Sequence, residues 1–231
     1  MNRRTYARID NPQAVPITGL AGGTPIHPDH LTPARLRATF AQPTDWQPEI
    51  VDDRLDLVTD EASLTPAAVL VPLVQRDDGL SLLLTRRTAH LHDHAGQISF
   101  PGGRVEDSDK DAIDTALRET EEEIGLARHH IEPVGHLPHY LTRSGFRVMP
   151  VVSLVTPPFD LKPDDFEVAE IFEVPLGFIM DPANHQVRTV QLDTGPRTFF
   201  AMPYNDYFIW GATAGMLRTF YSFLDAHLPQ R

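Results

Sequence analysis

The sequence predicts an α/β protein in which a mixed β-sheet lies between helices. Two apolar runs of strand length, AAVLVPLV from Ala67 and LSLLLTRR from Leu80, are separated by the polar RDDG. A helical pattern follows over Ala112 to Gly125, with Ile113, Leu117 and Ile124 on one stripe, and further strand-like segments come after it. The chain then closes on GATAGMLRTFYSFLDAHL, an amphipathic helix. Strands on both sides of one central helix, with a terminal helix behind them, build a sheet covered on both faces.

Taken in order, residues 1–30 hold Pro12, Pro16, Pro25, Pro28 and the Gly22-Gly23 pair with little apolar periodicity, and read as an irregular N-terminal extension. The main domain then runs over 31–231. It begins with LTPARLRATFA, where Thr32 serves as N-cap, Pro33 takes the first helical position, and Leu36 and Phe40 share a face. This short helix packs onto the domain. The two apolar runs form a hairpin with Gly79 in its turn, and QISF is a short strand ahead of Pro101-Gly102-Gly103. Gly125 caps the central helix. VMPVVSLV, EIFEVPL, VRTVQL and TFFAMPY read as strands, the last two as a hairpin around Asp193-Thr194-Gly195-Pro196. The aromatics of FIWGATAGM are expected as core at the start of the last helix, which Pro229 stops. No internal repeat is present.

Composition narrows the function. A chain of 231 residues, 41% hydrophobic, suits one domain with an extension. There is no apolar run of about 18 residues, and MNRRTYARIDNPQ lacks an apolar stretch behind its arginines, so a soluble, cytoplasmic protein is expected, with no membrane partner. The formal charge of −12 repels nucleic acid, and a phosphate substrate would need a cation and a few well-placed arginines. The absence of cysteine excludes a disulfide framework, a thiolate metal site and a cysteine nucleophile.

Four of the five residues from Glu119 to Glu123 are glutamate, although like charges three or four apart destabilise a helix. Glu119, Glu122 and Glu123 stand at i, i+3 and i+4 and share one face, while Glu121 points elsewhere. Alone, such a run reads as a solvated acidic face. As a cluster of hard oxygen ligands it suits Mg²⁺ or Mn²⁺ with phosphate oxygens and waters completing the shell, and the cation relieves the repulsion. The surroundings favour the second reading, because Gly102-Gly103 lies after a strand and ahead of the helix, where a backbone can approach closely.

Together, PGGRVEDSDKDAIDTALRETEEEIGL resembles the box of the Nudix hydrolases, G-x5-E-x7-R-E-U-x-E-E-x-G-U with U aliphatic. Arg118, Glu119, Glu122, Glu123, Gly125 and Leu126 match its second half, with Thr120 in place of the first aliphatic. Counted back from Arg118, the first glutamate falls on Lys110 and the glycine on Arg104, so the loop is longer by one, and Asp109 or Asp111 supplies the acid. Upstream, LLTRRTAHLHDHAGQISFPGG is similar to the second signature of the coenzyme A pyrophosphatase branch, L-L-T-x-R-S-x3-R-x3-G-x3-F-P-G-G. Leu83, Leu84, Thr85, Arg87, Gly96, Phe100, Pro101, Gly102 and Gly103 fit. Thr88 replaces the serine, and His92 replaces an arginine, losing its permanent charge and fork. The likeness runs roughly from Leu31 to Leu228.

The resemblance implies the Nudix fold, an α/β/α arrangement, and a hydrolase cleaving a diphosphate joined to another moiety. For the branch, the substrate would be coenzyme A or its thioesters, and the products 3′,5′-ADP and (acyl-)4′-phosphopantetheine. Glu119 and Glu123 are the first metal ligands expected and Glu122 the next, with Mg²⁺ or Mn²⁺ as cofactor. Arg118 is better placed to hold a glutamate or the loop than to reach substrate. Arg87, Thr88, His92, Gly102, Gly103 and Arg143 are the substrate-binding candidates, with Arg147 beside Arg143, and Glu167 or Glu170 is a distal acid. A homodimer is compatible with the resemblance. His90, His92 and His94 would face one side of a strand like a zinc site, but Gly96 makes the segment a loop. Other specificities within the family, ADP-ribose, a nucleotide sugar or NADH, stand as the enzyme alternative because of His92, and a silent nucleotide-binding module as the non-enzyme one. An isopentenyl diphosphate isomerase, whose mechanism resembles one needing a cysteine, is excluded.

Overall fold

A computed structural model describes residues 9–42, 46–49, 64–90, 96–193 and 195–228. The hairpin at its centre joins β2 (Thr65–Arg76) to β3 (Gly79–Arg87), turning at Asp77-Asp78. On β2, Ala68, Leu70 and Val74 face one way and Val71 and Leu73 the other, and all are buried. Burial on both faces explains why this strand reads as a continuous apolar run and not as an alternation.

Around that hairpin the main sheet runs β4 (Ile98–Ser99), β3, β2, β8 (Phe146–Val155), β6 (Ile131–His136). Off this path, β5 (Gly102–Arg104) pairs with β2, β7 (Tyr140–Leu141) with β8 and β9 (Val168–Pro175) with β3. β2 and β8 are parallel and the other pairs antiparallel, which makes the sheet mixed as expected.

One face is covered by α2 (Ala112–Ile124), whose Ala116 and Ile124 pack with Leu70, Val74, Leu83 and Val151. The other is covered by α4 (Gly211–Ala226), through Leu217, Phe220 and Tyr221 against Val71, Leu82, Leu84 and Val152. The α/β/α layering therefore holds. Helix α1 (Pro33–Phe40) has Thr32 as N-cap, the hydroxyl accepting from Arg35 N–H, and buries Leu36. A short α3 (Leu176–Ile179) follows β9.

Three expectations are corrected. The N-terminal extension is not wholly irregular, since β1 (Ile17–Leu20) pairs with β10 (Gln186–Leu192) and Ile9, Val15 and Ile26 are buried. No periodicity announced this strand because its side chains are exposed, Ile17 and Leu20 included, and backbone pairing holds it. It forms the edge of a second, antiparallel sheet, β1-β10-β11-β12, with β11 (Gly195–Tyr204) and β12 (Tyr207–Trp210). Buried Arg188 ties the extension down by donating to the carbonyls of Gln13 (2.8 Å) and Val15 (2.6 Å). Phe208, Ile209 and Trp210 are strand and not helix, because the Asn205-Asp206 turn pairs them with β11, and α4 starts at Gly211. Gly79 opens β3 instead of sitting inside the turn. Pro229, expected to stop α4, lies outside the described residues. Among the described residues no helix is long and apolar enough to cross a membrane.

Leu82 is fully buried between β3 and α4, so Leu82→Ala is expected to lower the unfolding free energy by about 2–5 kcal/mol. Leu20→Ala, on the exposed edge strand, should change it by no more than about 0.5 kcal/mol. Guanidinium denaturation of the two variants checks both expectations.

Candidate active site

Helix α2 carries the glutamates because its other face is locked. Asp111 caps its start, accepting from Asp114 N–H at 2.8 Å, and Gly125 ends it in the left-handed region at φ 70°, donating to the Glu121 carbonyl. Thr120, where an aliphatic side chain was expected, is buried with its hydroxyl donating to the Ala116 carbonyl at 2.6 Å, so the polar atom is satisfied within the helix.

The glycine pair lets β5 pass against this helix. A Cβ on Gly102, whose φ is 151°, would run into the Ala68 carbonyl, and one on Gly103 would overlap the Glu119 carboxyl. With no side chain in the way, Gly102 N–H donates to Glu123 Oε2 at 3.3 Å. Glu119 and Glu123 are thereby set into a notch between helix and strand.

Arg118 holds the rim of that notch. Its Nε and Nη2 donate to the two oxygens of Asp109 at 2.8 and 2.9 Å, its Nη1 to Glu119 and to Glu122 at 3.0 Å each, and Nη2 also to the Arg104 carbonyl at 3.2 Å. Asp109 accepts in addition from Glu106 N–H and the Thr115 hydroxyl. Arg118 first, then those two donors, hold its carboxyl well below the usual carboxylate range, against the opposing effect of burial. This settles which acid faces the arginine: Asp109 does, while Asp111 is the helix cap. Five residues separate Gly103 from Asp109, so the first spacing of the box is kept and the extra residue lies between Asp109 and Arg118.

Electrostatics set the notch apart from an ordinary acidic face. Glu123 is 7% exposed, and burial pushes its carboxyl up to about 8, opposed by the charge of Arg87 and reinforced by Glu167 and Glu119. Glu119 is also raised, again chiefly by burial, in spite of Arg118. Glu122 stands outermost, with its side chain 60% exposed. Arg87 reaches Glu167 at 3.6 Å, and its buried Nε has no hydrogen-bond partner among the described residues. Glu167 is thus the acid brought to the site. Glu170 is engaged elsewhere, accepting from the Tyr207 hydroxyl at 2.6 Å and pairing with Arg86 at 3.2 Å.

Other candidates fall differently. Thr88 is buried, and its hydroxyl donates to the Phe166 carbonyl at 2.7 Å, so it positions the 166–167 segment instead of facing a ligand. Arg143 lies in the β7–β8 turn, at the end of the sheet where β5 pairs with β2, and Arg147 follows on β8. His92 and His94 lie outside the described residues, and His90 packs against Phe166. Glu106 and Thr115 escaped sequence reasoning because each acts through a neighbour, whereas Thr88 was expected to bind substrate and instead serves the backbone; the six-residue step from Gly103 was the one signal that pointed to Asp109.

Among the described residues, no three His, Asp or Glu side chains form a closed metal cage. The notch still fits a hard divalent cation: Mg²⁺ takes one or two carboxylates and keeps waters, and here Glu119, Glu123 and Glu167 bring three carboxyl groups together in a partly dehydrated place, with Arg118 and Arg87 offsetting only part of their mutual repulsion. A separate cleft of about 360 Å³, between Ile9–Gln13 and β12, includes none of these acids.

The NUDIX domain model matches residues 64–189. The chain is 39% identical over 152 residues to the uncharacterised Nudix hydrolase NudL of Escherichia coli strain K12, covering 66% of this chain and 79% of that protein. Its fold is similar to that of an Ap4A hydrolase from Caenorhabditis elegans in a binary complex, at 21% identity and TM-score 0.42 over 48% of this chain and 80% of that one. The NUDIX domain of Shewanella oneidensis NrtR, complexed with ADP ribose, gives 19% identity and TM-score 0.40 over 51% and 76%.

An acid raised in the folded state removes stability once the pH passes its unfolded value, because the unfolded chain then releases a proton that the folded one retains. With cations chelated, stability should fall as the pH rises from about 4.5 to about 8 through Glu123, and Glu123→Gln should flatten that part of the slope. Denaturation of both proteins across this range in a chelating buffer measures the difference.

Proposed function

The chain belongs to the Nudix hydrolase family, and on that premise we propose that it is a metal-dependent pyrophosphohydrolase cleaving coenzyme A or its thioesters to 3′,5′-ADP and (acyl-)4′-phosphopantetheine. The observation that carries the hydrolase reading is the pair Glu119 and Glu123, half-buried and buried one helical turn apart against a glycine pair, with pKa values raised chiefly by burial. The coenzyme A assignment is supported by Leu83, Leu84, Thr85, Arg87 and Gly96 to Gly103 of the upstream motif.

In this reading Glu119 and Glu123 hold Mg²⁺ or Mn²⁺, with Glu122 at the rim. A divalent cation so held neutralises diphosphate charge and makes hydroxide available near neutral pH. Arg118 is a positioning residue that keeps Glu119 and Glu122 in place from its anchor on Asp109. Arg87, whose Nε is without a partner among the described residues, donates to a phosphate oxygen, and Arg143 supplies a further positive charge at the same end of the sheet. Glu167 accepts the proton of the attacking water as its oxygen bonds to phosphorus and the bridging oxygen leaves with the other phosphate. Gly102 and Gly103 admit the backbone to the notch, and Thr88 keeps Glu167 in reach.

His92, in the arginine position of the motif, favours a second reading: cleavage of another nucleoside diphosphate derivative such as ADP-ribose, a nucleotide sugar or NADH. Mass-spectrometric product analysis with coenzyme A, ADP-ribose and NADH in Mg²⁺ or Mn²⁺ decides between them. Fastest formation of 3′,5′-ADP and 4′-phosphopantetheine is expected, and faster cleavage of either other compound transfers the assignment. Glu119→Gln and Glu123→Gln should each reduce kcat/KM by more than the roughly 10–100-fold that loss of an outer-shell partner produces, with unchanged circular dichroism. Wild-type rates in either variant would remove that residue from the metal site.

A further inference from the structure

We propose that Phe166, steadied by His90, is an aromatic shelf on which the nucleobase of the substrate stacks, so that the enzyme selects diphosphates carrying a planar base. The proposal rests on the diphosphate-hydrolase reading above and adds a specificity determinant to it.

Phe166 is 64% exposed, the highest value among the large apolar side chains described. Exposing an aromatic ring removes the reward of burying it, yet here the backbone on both sides of the ring is tied down. Phe166 N–H donates to Asp164 Oδ1 at 3.0 Å, and the Phe166 carbonyl accepts from the Thr88 hydroxyl at 2.7 Å. The next residue repeats the pattern, with Glu167 N–H donating to the Asp164 carbonyl at 3.0 Å and the Glu167 carbonyl accepting from Thr88 N–H at 2.9 Å. The His90 ring lies 4.9 Å from the Phe166 ring, tilted by 58°. A fixed backbone and a ring neighbour hold the phenyl group in place while most of its surface meets solvent.

Position then gives the ring a use. Glu167, which follows it directly, lies 3.6 Å from Arg87 and acts electrostatically on both Glu119 and Glu123. The shelf therefore stands next in the chain to Glu167, the acid that acts on both glutamates of the notch. Asp164 and Asp165 precede the ring and disfavour an anionic group directly on its face, so an uncharged planar group such as a base suits it better than a phosphate. An aromatic face beside a phosphate site suits a nucleobase, since every base presents a π-face to stack.

The test compares coenzyme A with an otherwise identical diphosphate in which hydrogen replaces the adenine. Phe166→Ala is expected to raise KM for coenzyme A on the order of tenfold at unchanged kcat and to leave KM for the adenine-free compound where it was. Phe166→Tyr should retain the wild-type KM for both. An unchanged KM for coenzyme A in Phe166→Ala, or an equal rise for the two compounds, would overturn the shelf. If the wild-type protein cleaves neither compound, the coenzyme A assignment fails separately, and calorimetric binding of ADP against ribose 5-diphosphate in Mg²⁺ decides. Tighter binding of ADP that Phe166→Ala abolishes supports the shelf, and equal affinities in the wild type overturn it.

Discussion

The two-pronged grip of Arg118 on Asp109 connects the parts of this site that the chain brings together. One guanidinium spans the loop after the glycine pair, through Asp109 and the Arg104 carbonyl, and the helix, through Glu119 and Glu122. The Asp109 side chain is 2% exposed and that of Arg118 16%, so the charged atoms are mostly withdrawn from water. Paired charges in such a place are tolerated because their hydrogen bonds are complete, whereas either one alone would be strongly unfavourable. The grip also aligns helix and loop so that Gly103 meets the Glu119 carboxyl with no side chain between them.

Crowding of acids in the notch works against folding. Glu123 is buried with Gly102 N–H as its hydrogen-bond donor, and the charges of Glu119 and Glu167 add to the effect of burial. Such an arrangement persists when the surrounding packing is strong enough to impose it. That packing comes from the apolar side of α2, where Ala116 and Ile124 meet β2, β3 and β8. A cation bound by the acids lowers the repulsion, which links ligand binding to stability.

The second sheet and the N-terminal extension brace the opposite face. Arg218, buried in α4, donates to both carboxylate oxygens of Glu49 and to the Gly22 carbonyl, and Tyr221 exchanges hydrogen bonds with Thr24. Together with Arg188, these contacts fasten residues that have little apolar pattern of their own. The α4 side of the sheet is thus supported by polar ties to distant backbone as well as by hydrophobic burial.

Local order alone accounts for much of what could be read beforehand. The N-cap of α1, the glycine that ends α2, the placement of Glu119, Glu122 and Glu123 on one face, the β2–β3 hairpin and the α/β/α layering follow from side-chain type and spacing within a few residues, where periodicity is informative. The sequence by itself therefore determined which helix carries the acids, where it ends and that a glycine pair precedes it. Only the tertiary structure decided that Asp109 and not Asp111 faces Arg118, that Glu167 joins the notch while Glu170 turns to Tyr207, and that Thr88 serves the backbone of a segment 78 residues away. It likewise decided that an apparently irregular extension contributes a strand through β10. In each case the partner is supplied by strand register or by a single long-range hydrogen bond, and neither leaves a repeating pattern in the order of the residues.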